Sequence, residues 1–466
     1  MRYVGLDVHK RLVQAHFCDE QGRMLQSMRF ELTAASLSQF AHEHLGADCA
    51  VALEATTNSW AVVDILKSSC AKVVVSNPLK TKAIALSKHK SDKVDACMLA
   101  QLLRCDFLPL VWIPDVETRA ARSLAERRTS LVRQATGVKT RIQSLLHERL
   151  IQTPFDPFTQ RGRQWLQEVQ LPARDRGELD TLLRILDAVA SEQAKVTELV
   201  NADAYGREEV KLLMTLPGVG ATIAQAMMAA IGDISRFESP MKLASYFGLI
   251  PSVHQSADRA YHGKITKQGN ANVRWLLVEA AHHAGRHPGP LGHQFQRIAR
   301  KKGVNVAKVA IARKLAVLAW HLLTKGEPYR YASPVATEKK LADLRRSQHV
   351  LHPPHLGNRG SHWGHSTRVR KSLATVLATE ELPPPTPPAP AEVRVFAPRG
   401  TMALLENLAR EQRLEVPHRE RSRRTRARGK SRSRCAAWLL AGGRERGLAR
   451  ARNGDHLVQA ASVTYL

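Results

Sequence analysis

The sequence predicts an α/β domain in which helices cover a mixed sheet, followed by a helical middle segment, a mainly α domain and a basic tail. Three observations carry this expectation. Short apolar runs alternate with helical patterns over residues 1–115, near-heptad apolar spacing follows over 116–208, and the composition shifts beyond about Lys340.

Arg2 to Val8 is an apolar run, and Val13 to Cys18 and Met24 to Leu32 flank the turn signal Asp19-Glu20-Gln21-Gly22, so the chain opens as a three-stranded meander. A helical pattern (Leu37 to His44), a strand (Ala50 to Leu53), a helix (Trp60 to Leu66), a strand (Val73 to Val75) and a longer helix (Asp92 to Leu103) complete the first domain. From Glu117 to Leu150, Leu124, Leu131, Ala135, Val138, Ile142 and Leu145 keep near-heptad spacing while Arg122, Arg128 and Arg133 fill other faces. Leu182, Leu186, Val189, Val196 and Val200 repeat the pattern after a polar stretch over Thr153 to Arg176. A projecting helical hairpin and two helices of an ordinary bundle both fit. Residues 209–330 read as a second globular domain with helices near Thr222 to Ala230, Pro240 to Phe247, Ala271 to Ala284 and Val304 to Leu323, the last stopped by Gly326 and Pro328. Residues 331–466 read as a disordered, low-complexity basic tail, with nine Lys or Arg and one acid between Arg419 and Arg434.

Seventy Lys and Arg against 42 Asp and Glu give a formal charge of +28, and the isoelectric point is about 10.3. Such an excess suits a protein that neutralises phosphates. A membrane partner is not expected, because the apolar pattern of Val304 to Leu323 is interrupted by Lys308, Arg313 and Lys314 and Met1 to Lys10 has no apolar signal core. The six cysteines are scattered without a C-x-x-C pair, which excludes a zinc module and a disulfide framework and fits a cytoplasmic, nucleoid-associated protein. His349, His352, His355, His362 and His365 have no cysteine or carboxylate at ligand spacing and are not read as a metal site.

The acids carry the chemistry. Asp7 interrupts the first apolar strand, where Gly5 lets another backbone approach, and Glu54 ends the strand Val51-Ala52-Leu53. Asp92 and Asp95 lie three apart near a helix start and share a face. Taken singly, each also fits a turn, a cap or a first-turn helix charge. Together they supply the converging carboxylates that hold divalent metal in phosphoryl transfer on DNA. In the second domain, Leu216-Pro217-Gly218-Val219-Gly220 before an apolar helix fits a helix-hairpin-helix turn, whose glycines let backbone N–H groups meet a phosphate; it also fits a plain helix connector. Arg259, Lys264, Lys267 and Arg274 surround Ser256 in a loop rich in glycine and cations. By its chemistry alone Ser256 is an ordinary turn residue.

The segments G-L-D-V-H-K, L-E-A-T and K-S-D-K-V-D-A resemble those of the DEDD transposases of bacterial insertion sequences, and G-L-I-P, Q-S-A-D-R and G-K-I-T-K-Q-G-N-A-N-V-R resemble their serine-bearing C-terminal domain, over about residues 1–330. The resemblance implies a RuvC-like first domain with an RNase H-type fold. It makes Asp7, Glu54, Asp92 and Asp95 the ligands of Mg²⁺, with Mn²⁺ as an alternative, and Ser256 the DNA nucleophile. Ala257 stands where the family usually has Gly. The resemblance further implies a homo-oligomer, dimer or tetramer, and a structured non-coding RNA from the element that guides the choice of DNA sites; the basic face over Arg122 to Arg141 is the expected RNA surface. Two other readings remain: a metal-dependent resolvase of four-way junctions that uses only the acids, and a DNA-binding protein without catalysis. Asp7 and Glu54 argue against the last, since an unpaired carboxylate in a buried strand is costly.

Overall fold

The computed structural model describes residues 1–84, 91–256, 259–351 and 371–387, and it divides into two compact units, Met1–Val116 and Glu117–Leu466. The first unit is built on a six-stranded mixed sheet. Its strands are β1 (Arg2–Val8), β2 (Leu12–Cys18), β3 (Met24–Glu31), β4 (Cys49–Glu54), β5 (Lys72–Ser76) and β6 (Leu110–Val111), with helices α1 (Ala34–His44), α2 (Ser59–Leu66), α3 (Pro78–Ile84) and α4 (Asp92–Arg104). The strand order is β3-β2-β1-β4-β5-β6. The meander β1 to β3 is antiparallel, β1, β4 and β5 run parallel, and β6 closes the edge antiparallel to β5.

One face of this sheet packs Val4, Leu6, Val51 and Leu53 against Leu37 and Phe40 of α1 and Val62 and Leu66 of α2. The other face receives α4, whose Leu99 and Leu102 meet Ala52 and Val74. Gly5 fixes that second contact: a Cβ there would lie 2.0 Å from the Ala96 carbonyl oxygen. Only glycine lets α4 seat directly on β1. Ser91 caps α4, its hydroxyl accepting from Val94 N–H, and so starts the helix at Asp92.

The second unit holds α5 (Val116–Glu148), α6 (Gln160–Glu168), α7 (Ala173–Tyr205), α8 (Glu208–Met214), α9 (Ala221–Ile231), α10 (Pro240–Tyr246), the strands β7 (Pro251–Ser256) and β8 (Arg259–Ile265), then α11 (Ala271–Ala284), α12 (Pro290–Lys302), α13 (Val304–Lys325), α14 (Pro334–Leu351) and α15 (Leu373–Ala378). Near-heptad residues of the two long helices α5 and α7 meet in a small core of Ile142, Leu146, Leu179, Leu182 and Leu186, closed by Leu166 of α6. The larger core gathers α8 to α13 around residues such as Leu213, Met227, Leu277 and Leu315.

Three expectations are corrected here. The polar stretch over Thr153 to Arg176 contains the short amphipathic α6, capped by Thr159. The glycine-rich loop after Pro251 is an antiparallel hairpin, β7 with β8. The second unit does not end at residue 330: Leu341 and Leu344 of α14 and Leu373, Val376 and Leu377 of α15 enter the larger core. Glu380, beyond α15, is buried between Lys211 at 3.2 Å and Arg345 at 2.7 Å. These are short apolar stretches in a Pro- and His-rich composition, so their helical period stands out only once a core is there to receive them. Of the histidines set aside above, His352, His355, His362 and His365 lie outside the described residues, as does the arginine cluster after Arg419.

Candidate metal centre and serine hairpin

Asp7 and Glu54 stand at the same level of the sheet because β1 and β4 are parallel, with Leu6 opposite Leu53. Both therefore sit at the carboxyl ends of adjacent central strands, where open α/β sheets commonly place ligands. Close seating of α4 on Gly5 brings the first turn of that helix to the same edge. His9, one residue past β1, completes the group: its Nε2 is 3.1 Å from Asp7 Oδ2 and 3.4 Å from Asp92 Oδ1. Asp7, His9 and Asp92 offer ligand atoms within 4.8 Å of one another. Glu54 and Asp95 are half-buried and do not enter that group of three.

The electrostatics suit a cation. Burial pushes the Asp7 carboxyl above the usual carboxylate range; Asp92 and Asp95 push the same way and His9 opposes them. Asp7 Oδ2 is buried, with His9 Nε2 as its close polar neighbour. Two hard carboxylate oxygens and an imidazole nitrogen form a donor set that a divalent cation fits. Arg29 of β3 approaches Asp92 at 4.0 Å. His9 was missed in the sequence, although Asp7-x-His9 at the period of a strand was a legible signal that both side chains leave on one face.

In the second unit Ser256 is the last residue of β7 and pairs with Arg259 at the start of β8. Ala257 and Asp258 lie outside the described residues. Lys264 and Lys267 are exposed, the latter with φ of 55°. Arg274 turns inward and donates to the Phe247 carbonyl oxygen at 3.1 Å. Arg122 and Arg128, expected on an RNA surface, are engaged inside the protein as well. Arg122 donates to the Ala229 and Ala230 carbonyls at the end of α9, at 2.8 and 2.9 Å, and half-buried Arg128 donates to Thr197 Oγ1 at 3.1 Å. Their positions in the heptad gave no sign of which arginines a partner helix would take up; Arg133 stays exposed.

The Pro217-Gly218 turn joins α8 to α9. Gly218 has φ of 77°, and a Cβ there would lie 2.2 Å from the Ala280 carbonyl oxygen of α11, so its glycine serves packing directly. Gly220 caps α9 and faces open space. Beneath the turn the Lys340 ammonium is buried and donates to the carbonyl oxygens of Met214, Leu216 (2.9 Å) and Val219 (3.0 Å). Burial brings Lys340 down to about 7.

A family model described as transposase IS116/IS110/IS902 family matches residues 210–297, and a transposase model of the IS110 DEDD type matches residues 4–150. The chain is 26% identical over 346 residues to a transposase for insertion sequence element IS1111A of Coxiella burnetii, covering 71% of this chain and 92% of that protein. It is 27% identical over 342 residues to a probable family 20 transposase of Pseudomonas aeruginosa (70% and 98%) and 25% identical over 337 residues to a pilin gene-inverting protein of Moraxella bovis (70% and 97%). The DEDD match implies an RNase H-like fold, with which the mixed sheet agrees, and dependence on a divalent metal. No helix among the described residues is long and apolar enough to cross a membrane. Through both family matches, over residues 4–150 and 210–297, the chain belongs to the IS116/IS110/IS902 family of insertion-sequence transposases, enzymes that cut and rejoin DNA.

Proposed function

We propose that this transposase divides its chemistry between the acidic edge of the first unit and the serine of the second. The reading is carried by one observation, the meeting of Asp7, His9 and Asp92 at the carboxyl end of β1. Asp7 and Asp92 would hold the cation, with Glu54 and Asp95 completing the acidic set and His9 positioned between the first two. A bound Mg²⁺, or Mn²⁺ in its place, supplies Lewis-acid polarisation of a phosphoryl oxygen and neutralises its charge. The RuvC-like arrangement of strand and helix carboxylates supports DNA as the substrate.

Ser256 is the proposed nucleophile. Its hydroxyl oxygen attacks a DNA phosphorus, one phosphorus–oxygen ester bond of the strand breaks, and the departing deoxyribose oxygen leaves as a hydroxyl carrying a proton. Return attack by a DNA hydroxyl on the phosphoserine rejoins a strand and restores the serine. Exposed Lys264 and Lys267, on β8 and just after it, are suited to stabilise the charge that builds on the phosphoryl oxygens. Guidance by a structured RNA of the element belongs to the same reading, with Arg133 on the exposed face of α5 among its contacts, as does assembly into a homo-oligomer.

A trapping assay tests the division of labour. Protein, element-end DNA, the flanking transcript and Mg²⁺ are incubated, denatured and resolved for a protein–DNA band. A covalent band that disappears in Ser256→Ala and depends on Asp7 is the expected result. Metal-dependent cleavage with no adduct would overturn the serine mechanism in favour of junction resolution by the acids alone.

A further inference from the structure

The end of α8 and the turn after it aim three carbonyl oxygens at one atom. Those of Met214, Leu216 and Val219 all accept from the Lys340 ammonium of α14, the latter two at 2.9 and 3.0 Å. A helix leaves its final carbonyls without intrahelical partners, which is why they are available here. The last turn of α8 is tightened, with Thr215 N–H donating to the Leu212 carbonyl and Leu216 N–H to that of Leu213. Gly218, at φ of 77°, then reverses the chain so that Val219 faces the same point. A neutral amine has two N–H bonds for these three acceptors; the ammonium has three. Burial draws Lys340 down to about 7, and the carbonyl dipoles favour the charged form against that pull.

Lys340 is half-buried as a residue, with its charged end inside and its stem on the wall of a cavity of about 310 Å³ shared with Thr215, Gly218, Thr337 and Asp343. Asp343 itself is paired with Arg346. The donors that meet the buried charge are therefore neutral backbone oxygens from one short stretch of chain. Converging carbonyls replace the water shell of a monovalent cation such as K⁺, whereas protein sites for divalent ions draw on carboxylates. The cavity gives such an ion a way in once the lysine side chain is gone.

We propose that the carbonyl oxygens of Met214, Leu216 and Val219 form a monovalent-cation site, which the chain fills with its own Lys340 ammonium and which K⁺ enters when that ammonium is removed. A tethered cation is present at a far higher effective concentration than a free ion, so the turn of the wild-type chain keeps its shape whatever salt surrounds it. The site stands on this geometry alone and does not depend on how the DNA chemistry is divided between the two units.

Thermal unfolding of the full chain, followed by circular dichroism in KCl, NH₄Cl and choline chloride at about 0.15 M each, tests it. Wild type and K339A, which removes an exposed cation from the same cavity wall, should melt within about 1 °C of their own values in all three salts. K340A should melt roughly 5 °C or more below wild type in choline, which is too large to enter, and recover about half of that loss in KCl, with a gain that grows with the logarithm of K⁺ concentration. K340M, whose apolar side chain fills the space without charge, should lose stability in every salt and recover none. If K340A does not fold in choline, recovery of its helical signal on adding KCl is the expected result, and no recovery overturns the proposal. It is also overturned if K340A melts as wild type does, if its loss is the same in all three salts, or if K⁺ stabilises wild type or K340M as much as K340A.

Discussion

Asp7 is held where its own charge is least welcome. It interrupts a buried strand, its Oδ2 is buried, and Asp92 and Asp95 lie near enough to raise its proton affinity against the opposing His9. A group whose folded-state affinity for protons exceeds its unfolded one costs stability above its folded pKa and returns that stability as pH falls through it. Asp7→Asn, without added metal at neutral pH, should therefore raise the unfolding free energy, by about 1 kcal/mol. Denaturant titrations on both proteins check this, and the gain should shrink as the medium is acidified toward the range where wild-type Asp7 takes up its proton. A loss of stability in Asp7→Asn would mean that the His9 contact outweighs burial. The strained carboxylate was readable in the sequence as an acid inside an apolar run; its partner His9 needed the strand period to be applied past the end of the strand.

At the scale of elements, glycines decide which backbones touch. Gly218 combines a left-handed φ of 77° with contact against the Ala280 carbonyl, whereas Gly220, two residues on, has ordinary extended geometry and open space at its Cβ. Gly218→Ala should cost about 2 to 4 kcal/mol, read by chemical denaturation, because backbone strain and a backbone clash add. Gly220→Ala should cost less than about 1 kcal/mol, the ordinary loss of a good N-cap. Equal effects at the two positions would mean that the turn, not the α11 contact, sets the glycine requirement. The sequence marked both glycines as equivalent parts of a P-G-x-G turn. What separates them is a helix that arrives sixty residues later.

At the scale of the whole molecule, the second unit extends beyond the expected boundary at 330 to Pro387, through α14, α15 and the buried Glu380 between Lys211 and Arg345. Lys340 of α14 holds three carbonyls around the hairpin turn. A chain ending after residue 330 should therefore unfold at lower temperature than one ending after 387, by roughly 5 °C or more for the loss of several kcal/mol in a chain of this size. Thermal scans of the two truncations check it, and matching transitions would show that α14 and α15 rest on the core without supporting it.

By itself the sequence determined the alternation of strands and helices in the first unit, the acids at strand ends and helix start, the long basic helices, and the order of motifs that mark the family. These are local properties: period, turn chemistry and charge are written in neighbouring residues. Tertiary structure alone decided that His9 joins Asp7 and Asp92, that Arg122, Arg128 and Arg274 are taken up by carbonyls and a hydroxyl of the fold, and that the stretch after 330 folds onto the core. It also decided that the Lys340 ammonium meets three carbonyls of the hairpin turn. Each of these depends on which distant surface arrives to accept a hydrogen bond, bury an apolar face or leave a charge in solvent, and no spacing along the chain specifies that.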